Sequence, residues 1–328
     1  LSEFKSWHYF VLRQLSYAFL AFFSMFVIHN IGFMKIVEWS GALLIATTIL
    51  LILVFIPGIG LKLNGSYRWI SIAGYTLQPS EFAKILVPMY MISSLGKFPE
   101  GIGIKNFLKS LAKISIPMAL IFMEPDNGTL VILVVTLCVV FVLTKVRLMF
   151  WAVPLFCLSL VAVAIAFHMP HAVDRIKIYL HPELDLQGKG HQPYQAKIAA
   201  GSGGLWGKGL GESLQKWNYL PEAKSDYIAA IFAEEFGFIG IFFLLSLYAA
   251  VAFFGFSIAL KEPKYQPSLL VATLTFLICF QAFLNLGVVS GLLPSKGVNL
   301  PFFSQGGSSL LANFMIIGLI GDIAKRRI

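Results

Sequence analysis

Charged side chains are scarce in this chain, since Asp, Glu, Lys and Arg together make up 12% of its 328 residues. A soluble protein needs a larger charged surface, which excludes an ordinary soluble domain. Cysteine is also rare, and Cys138, Cys157 and Cys279 all lie in apolar runs, which favours core residues over a disulfide framework or a zinc set. Hydrophobic residues make up 58% of the chain and the mean hydropathy is +0.80. The composition therefore predicts an integral membrane protein.

Nine apolar runs divide the sequence, and most approach the ~20 residues that a spanning helix needs. They are continuously apolar rather than alternating, which excludes spanning β-strands. The runs cover residues 10–31, 39–56, 80–95, 112–123, 129–143, 148–167, 228–260, 266–290 and 308–321. We predict an all-α, polytopic integral membrane helix bundle with nine transmembrane helices, one domain over residues 1–328, and a large extracytoplasmic loop at 168–227.

Basic residues in the short loops predict the orientation of the bundle. One side carries Lys35, Lys97, Lys105, Lys109, Lys113, Lys145, Arg147, Lys261, Lys264, Lys325, Arg326 and Arg327. The positive-inside rule makes that side cytoplasmic. The same bias, together with contact to anionic lipid, accounts for most of the net charge of +9, so we infer no nucleic-acid binding.

The most informative stretch is Gly201–Gly240, a glycine-rich polar loop that ends in Asp226 directly before a long apolar run. The glycines could cradle a phosphate, but the stretch lacks the Lys-Ser/Thr ending and the preceding strand of a nucleotide P-loop. The alternative is a tight loop on the membrane surface with Leu205, Trp206 and Leu210 in the interface. Asp226 is either a base at the membrane surface or an acid that complements a helix dipole.

A second constellation joins Asn64–Ile70 to Gln78–Lys84 at the start of an apolar run. Ser80 is predicted as the N-cap, and Glu81 is favourable at the positive end of the helix dipole. Lys84 shares a helix face with Glu81 and lies about one turn, ~5 Å, inside the membrane boundary. The pair is either an internal ion pair that joins two helices or a cation facing a ligand in a polar cavity.

Three further features leave alternatives open. Arg68 is either a site cation or, beside Trp69, an anchor at the level of the lipid headgroups. Glu124–Thr129 forms a polar break, in which Asp126 is at least as well explained by turn capping as by catalysis. Leu293–Ser309, rich in Pro and Gly, predicts a structured re-entrant loop before the last helix.

In this order and at these spacings, the four stretches resemble the SEDS family (shape, elongation, division and sporulation) over nearly the whole chain. The segments Leu220-Pro221-Glu222-Ala223 and Pro294-Ser295-Lys296-Gly297 resemble the division branch, FtsW, more than the elongation branch, RodA. Members of the family have ten helices with both ends in the cytoplasm. The resemblance therefore implies that the family's first helix is missing before Leu1.

The resemblance implies a peptidoglycan glycosyltransferase that polymerises lipid II into β-1,4 glycan strands and releases undecaprenyl diphosphate, in division or cell-shape wall synthesis. It also implies a multi-pass protein of the bacterial inner (cytoplasmic) membrane with its active site on the extracytoplasmic side. Expected partners are a class B penicillin-binding protein transpeptidase and other membrane proteins of the division complex.

Matching residue by residue implies roles for individual side chains. Asp226 matches the family's catalytic aspartate, although Lys224-Ser225 stands where the family has His-Thr, and a lysine there would tend to lower the pKa of the carboxylate. The residues that resemble the substrate-binding positions are Arg68, Glu81, Lys84, Lys296, Arg175 and Gln195. The last two are expected to shape the acceptor groove or to hold the long loop together.

No cofactor is implied with certainty, and the loop histidines lack a metal-ligand spacing. Whether a divalent cation assists the diphosphate stays open. Two other functions also stay open. A lipid II flippase would use the same intramembrane charges without needing a base, and a noncatalytic scaffold of the division complex would explain the altered Lys224-Ser225.

Overall fold

The computed structural model describes residues 7–63, 66–72, 74–98, 101–156, 178–179, 181–186, 188, 190–216, 220–295 and 297–326. Its helices are α1 (Trp7–Ile31), α2 (Phe33–Glu38), α3 (Ser40–Val54), α4 (Pro79–Leu95), α5 (Ile104–Met123), α6 (Asn127–Leu143), α7 (His191–Ser202), α8 (Ile228–Lys261), α9 (Tyr265–Val289) and α10 (Gly307–Lys325). Residues 148–156 are also helical. The predicted helical membrane bundle is therefore confirmed.

Each predicted apolar run overlaps a helix, the sixth of them only over residues 148–156 because the rest lies outside the described residues. Among the described residues, the helices long and apolar enough to cross a membrane are α5, α8, α9, α10 and residues Val11–Ile31 of α1, whereas Ser40–Leu53 and α6 are apolar but shorter. The number of nine spans stays a prediction. Helix α5 begins earlier than predicted because its first turns carry Lys105 and Lys109, which interrupt the apolar run.

The chain forms two compact units. The first comprises Leu1–Val146, Ala252–Ile278 and Gln305–Ile328, and the second comprises Arg147–Val251 and Cys279–Ser304. Each unit is built around helices, and each contains some of the residues singled out in the sequence.

In the first unit, α1 packs along α10 at short range. Tyr17, Ala21 and Leu310 are buried together between the two helices. A Cβ atom added to Gly318 would lie 2.7 Å from the Met25 carbonyl oxygen, so only glycine allows this approach. Small residues at helix contacts are typical of membrane proteins, in which lipid supplies no hydrophobic drive for association and close packing takes its place.

Between α3 and α4 the chain forms a three-stranded antiparallel sheet, order β1-β2-β3, that the sequence interpretation did not include. The strands are β1 (Gly60–Leu63), β2 (Ser66–Ile72) and β3 (Tyr75–Leu77). Alternation in β2 buries Ile70 and leaves its neighbour Ser71 exposed. These short strands do not span the membrane. The sheet holds Arg68 of β2 next to the turn between α5 and α6.

In the second unit, a buried apolar cluster joins α7, the beginning of α8, the end of α9 and the loop before α10. Its members include Ala196 and Ala199 of α7, Tyr227 before α8, Ala282 of α9 and Leu300. The regular backbone of α8 is interrupted at Gly237, which has φ 66° and ψ −162°. The interruption divides the long predicted run into a short first segment and a longer second one.

Candidate functional site

In the first unit, Glu81 and Lys84 form a buried ion pair in the first two turns of α4. Lys84 Nζ lies 2.8 Å from Glu81 Oε2, and the two residues are only 3% and 4% exposed. Their spacing of three residues places both on one helix face, as predicted. Burial in low dielectric makes this pair costly to break, because either charge left alone would lack compensation.

Asp126 caps α6 and joins it to α4. Its Oδ1 accepts a hydrogen bond from the Thr129 backbone N–H at 3.2 Å, the usual geometry of an N-cap. Its Oδ2 accepts from Ser80 Oγ at 3.0 Å and from Gln78 Nε2 at 3.2 Å. The turn-capping interpretation of Asp126 is therefore confirmed. The prediction that Ser80 is the N-cap of α4 is wrong, because the helix begins at Pro79 and its N-cap is Gln78.

Arg68 of β2 lies over the turn between α5 and α6. Its Nε donates to the Glu124 carbonyl oxygen at 3.0 Å, and its Nη2 donates to the Pro125 carbonyl oxygen at 2.6 Å. The guanidinium thus holds the strand to the helix ends and is not simply a headgroup anchor. It places a fixed positive charge next to the Asp126 turn.

Three helices of the first unit, α4, α6 and α10, have their N-termini linked by hydrogen bonds of Gln78 and Asp126. Asp126 connects the first turns of α4 and α6, and Ser308 Oγ in the first turn of α10 accepts a hydrogen bond from the Gln78 backbone N–H at 2.9 Å. The N-terminus of a helix carries partial positive charge. Arg68 adds positive charge to these helix ends, whereas the charge of Lys84 is balanced by Glu81 and Asp126 contributes a negative charge.

Glu124 is a fully buried carboxyl in the same turn. Both of its side-chain oxygens lack a hydrogen-bond partner among the described residues. Burial, reinforced by the nearby charge of Asp126 and opposed by that of Arg68, raises the pKa of Glu124 to about 8. The group is therefore mostly protonated at neutral pH. The sequence indicated only a polar break at this position, because a buried carboxyl cannot be distinguished from a surface turn residue by its pattern.

We expect Glu124→Gln to flatten the pH dependence of stability. The native carboxyl keeps its proton up to about pH 8, whereas an unfolded chain ionises near 4.5. Unfolding therefore releases a proton, and the free energy of unfolding falls between these pH values by as much as a few kcal/mol. Thermal unfolding from pH 5 to 9 should show a smaller slope for the variant. Parallel curves for the two proteins would contradict the raised pKa.

In the second unit, Asp226 lies at the start of α8 beside the loop that precedes α10. A Cβ atom added to Gly297 would lie 3.0 Å from Asp226 Oδ2, so the carboxylate faces the backbone of that loop. The next residue, Tyr227, is buried, and its hydroxyl lies 2.7 Å from Ser295 Oγ. The start of α8 is thereby fixed to the loop on both sides of Gly297.

Two amides of α9 hold this arrangement in place. Asn285 Nδ2 donates to the carbonyl oxygens of Asp226, at 2.8 Å, and of Val298, at 2.7 Å. One turn earlier, Gln281 Nε2 donates to the Asn299 carbonyl oxygen at 2.8 Å. Sequence reasoning missed both residues. The available signal was two amides four residues apart in an otherwise apolar span, where polar side chains are costly and usually have a function.

We expect Gly297→Ala to impair the Asp226 site without unfolding the protein. The added methyl group must displace the carboxylate by a few tenths of an ångström, and such a misplacement should lower activity about tenfold. The matched control is Gly201→Ala, because a Cβ there has no neighbour within 4 Å. Activity and melting temperature should be measured for both. Full activity of Gly297→Ala would show that the position of this carboxylate is unimportant.

The remaining predicted residues have different outcomes. Gln195 lies on α7 and is partly buried, next to the buried Ala196. Arg175 and Lys296 lie outside the described residues. Within the described part of the chain, no group of three or more His, Cys, Asp or Glu side chains is arranged to hold a metal ion. The roles of all these side chains in binding stay predictions.

Two relatives are similar to this chain over most of its length. It is 36% identical over 325 residues to the probable peptidoglycan glycosyltransferase FtsW of Trichlorobacter lovleyi, covering 98% of this chain and 85% of that protein. It is also 36% identical over 329 residues to the stage V sporulation protein E of Bacillus subtilis, covering 98% and 89%. The similarity therefore extends well beyond the motifs.

Solved structures and a family profile agree with these relatives. A protein chain from a study of the structural coordination of polymerization and crosslinking by a peptidoglycan synthase complex matches with a TM-score of 0.80 and 25% identity, covering 97% of this chain and 90% of that one. The rod shape determining protein RodA of Thermus thermophilus matches with a TM-score of 0.70 and 25% identity, covering 96% and 87%. The profile described as cell cycle protein matches residues 1–328. The chain therefore belongs to the FtsW/RodA/SpoVE family of cell cycle proteins, the family that its four polar stretches resemble.

Proposed function

We propose that this protein is a peptidoglycan glycosyltransferase that polymerises lipid II, with Asp226 as the catalytic base. The observation that carries the proposal is the placement of Asp226 at the start of an apolar helix, where Asn285 Nδ2 binds its backbone carbonyl oxygen and its carboxylate faces Gly297. The names of the relatives and the complex that matches the fold support the same activity.

The reaction requires one proton transfer and one leaving group. The hydroxyl of the acceptor sugar attacks the anomeric carbon of the donor, a C–O bond forms, and the bond from that carbon to the diphosphate oxygen breaks. Asp226 takes the hydroxyl proton and passes it to solvent, while undecaprenyl diphosphate leaves with the bonding electrons. A base within hydrogen-bond reach of the hydroxyl raises its nucleophilicity during the attack.

The leaving diphosphate needs positive charge where its own negative charge accumulates. In the first unit, Lys84, Arg68 and the three helix N-termini described above supply such an environment. We assign Arg68 and Lys84 to the diphosphate or the adjacent sugar, with Glu81 holding Lys84 in position. By resemblance to the family, Lys296 extends the same role, and Arg175 and Gln195 contribute to the acceptor groove.

The cellular setting follows from the proposed substrate. Lipid II is polymerised outside the cytoplasm, so we place the protein in the bacterial inner membrane with the polar ends of α4, α6 and α10 on the extracytoplasmic side. We propose a class B penicillin-binding protein as its transpeptidase partner, in line with the peptidoglycan synthase complex whose chain it resembles. Other membrane proteins of the division complex are also expected as partners from the family, and the participation of a divalent cation at the diphosphate stays open.

The test is polymerisation of lipid II by the purified protein together with its transpeptidase partner. Glycan strands on a gel that are digested by a muramidase, together with released undecaprenyl diphosphate, would establish the glycosyltransferase. Transfer of labelled lipid II across vesicle membranes without polymer would instead show a flippase. Binding of the partner without polymer formation and without transfer of lipid II would indicate a noncatalytic scaffold.

A further inference from the structure

A buried carboxylate lies about two turns beyond Asp226, at Glu234 in the short first segment of α8. Glu234 is 1% exposed and its side chain accepts hydrogen bonds from the polar loop that precedes α8. The donors are Lys208 Nζ at 2.6 Å, Ser213 Oγ at 2.6 Å, and Ser202 Oγ, the Leu214 N–H and the Gln215 N–H, each at 3.3 Å. The neighbouring Glu235 pairs with Lys216 at 3.0 Å.

The backbone of the same loop fills the interruption of α8 at Gly237. Four backbone hydrogen bonds join the two: Lys208 N–H to Glu234 O at 3.0 Å, Gly209 N–H to Glu235 O at 3.0 Å, Phe238 N–H to Gly204 O at 2.9 Å, and Ile239 N–H to Leu205 O at 3.2 Å. These carbonyl and amide groups would pair with one another in an uninterrupted helix. The loop thus satisfies polar groups that lipid would leave unpaired.

Glycine is needed where the loop and the helix meet. Gly207 and Gly237 both have positive φ, 82° and 66°, a conformation that other residues rarely adopt. A Cβ atom at Gly207 would collide with the Glu235 carbonyl oxygen, and one at Gly237 would collide with the Gly207 amide nitrogen. Gly207 and Gly237 therefore serve close packing between the backbones of the loop and the helix.

We propose that Glu234 is a positioning residue that seats the loop 203–216 in the Gly237 interruption and so fixes the segment leading to Asp226. This proposal rests on Asp226 being the catalytic base. Residues 217–225 connect Lys216, held at the first segment of α8, with the start of the same helix. Both ends of this short connection are attached to one helix segment. Releasing the loop would remove the attachment at Lys216 and leave the one at Ser225, whose carbonyl oxygen accepts a hydrogen bond from Ser304 Oγ at 2.6 Å.

The same attachment turns the apolar side chains of the loop outward. Trp206 is 78% exposed, and Leu205, Leu210 and Leu214 are exposed as well, while Lys208 points to Glu234. They continue the exposed apolar surface of α8, a candidate membrane span. Tryptophan and leucine at this place favour the membrane interface. Trp206 is therefore a natural reporter of whether the loop is seated.

The experiment compares native protein with Glu234→Gln in the complex with its partner, using Glu212→Gln, an exposed carboxylate of the same loop, as the matched control. Trypsin should cleave after Lys208 and Lys216 about tenfold faster in Glu234→Gln, because the seated loop is protected. The fluorescence contributed by Trp206, obtained by subtracting the matching Trp206→Phe spectrum, should shift to longer wavelength. The kcat for lipid II should fall about tenfold with KM changed less than about threefold. Glu212→Gln should match the native protein in all three.

Gly207→Ala should reproduce the three changes without altering Glu234. The double variant Glu234→Gln/Lys208→Met, in which cleavage is followed at Lys216 alone, serves if the single variant does not fold. Unchanged cleavage and Trp206 emission in these variants would overturn the seating role, whether or not the protein polymerises lipid II. Faster cleavage with native kcat per folded molecule would overturn the positioning role. Loss of the Asp226 base is recognised separately, because Asp226→Asn should leave cleavage and emission unchanged.

Discussion

Asp226→Asn is expected to lower lipid II polymerisation by about 10²- to 10⁴-fold, the range that a positioned general base contributes. The amide has nearly the same shape as the carboxylate and keeps the backbone contact with Asn285, whose Nδ2 binds the Asp226 carbonyl oxygen. It cannot, however, take the proton of the attacking hydroxyl. The variant should therefore fold, bind its partner and bind lipid II, but form almost no polymer.

The matched control for this prediction is Glu222→Gln. Glu222 is an exposed carboxylate of the same turn and accepts a hydrogen bond from Ser225 Oγ at 2.7 Å, which an amide oxygen can also accept. It should retain native activity within about twofold, as is usual for exposed substitutions. Undiminished polymer from Asp226→Asn, measured on folded protein at equal concentration, would remove Asp226 from the mechanism.

The helices were predictable because a helix that spans lipid requires a long, continuous apolar run in the sequence. A long apolar run in lipid has few structural alternatives to a helix, and every predicted run overlaps a helix. The hairpin β1–β2 was not predicted, since its alternation covers only a few residues beside a stronger helical pattern. The interruption at Gly237 was not predicted either. Its cause is the pairing with Gly204 and Leu205, a contact across more than 30 positions that local composition does not contain.

The candidate site residues were predictable where a charged side chain stands within or directly beside an apolar run. Asp226, Glu81 and Lys84 stood out for that reason, and the structure pairs the last two. Glu234 and Asn285 were not singled out, because each acts through backbone groups that lie far away in the sequence. Their importance arises from folding and could be suspected only from their polarity within apolar runs.

Lys84→Met is expected to destabilise the protein by about 3–5 kcal/mol, because it leaves Glu81 as a buried charge without its cation. Thermal unfolding followed by size-exclusion chromatography should show a melting temperature well below that of the native protein. Activity should be lost too, but that loss alone does not distinguish misfolding from loss of a diphosphate contact. A second variant has to separate the two.

Glu81→Gln/Lys84→Met separates them, since it removes both charges of the pair. Replacing a buried ion pair by uncharged residues of similar volume is often neutral for stability, so most of the lost melting temperature should return. If Lys84 stabilises the leaving diphosphate, the double variant should still polymerise at least about 10²-fold more slowly than native protein, as expected for the loss of a group that stabilises transition-state charge. Recovery of stability together with native activity would show that the pair within α4 serves only the stability of the fold, and the cation at the diphosphate would then have to be sought elsewhere.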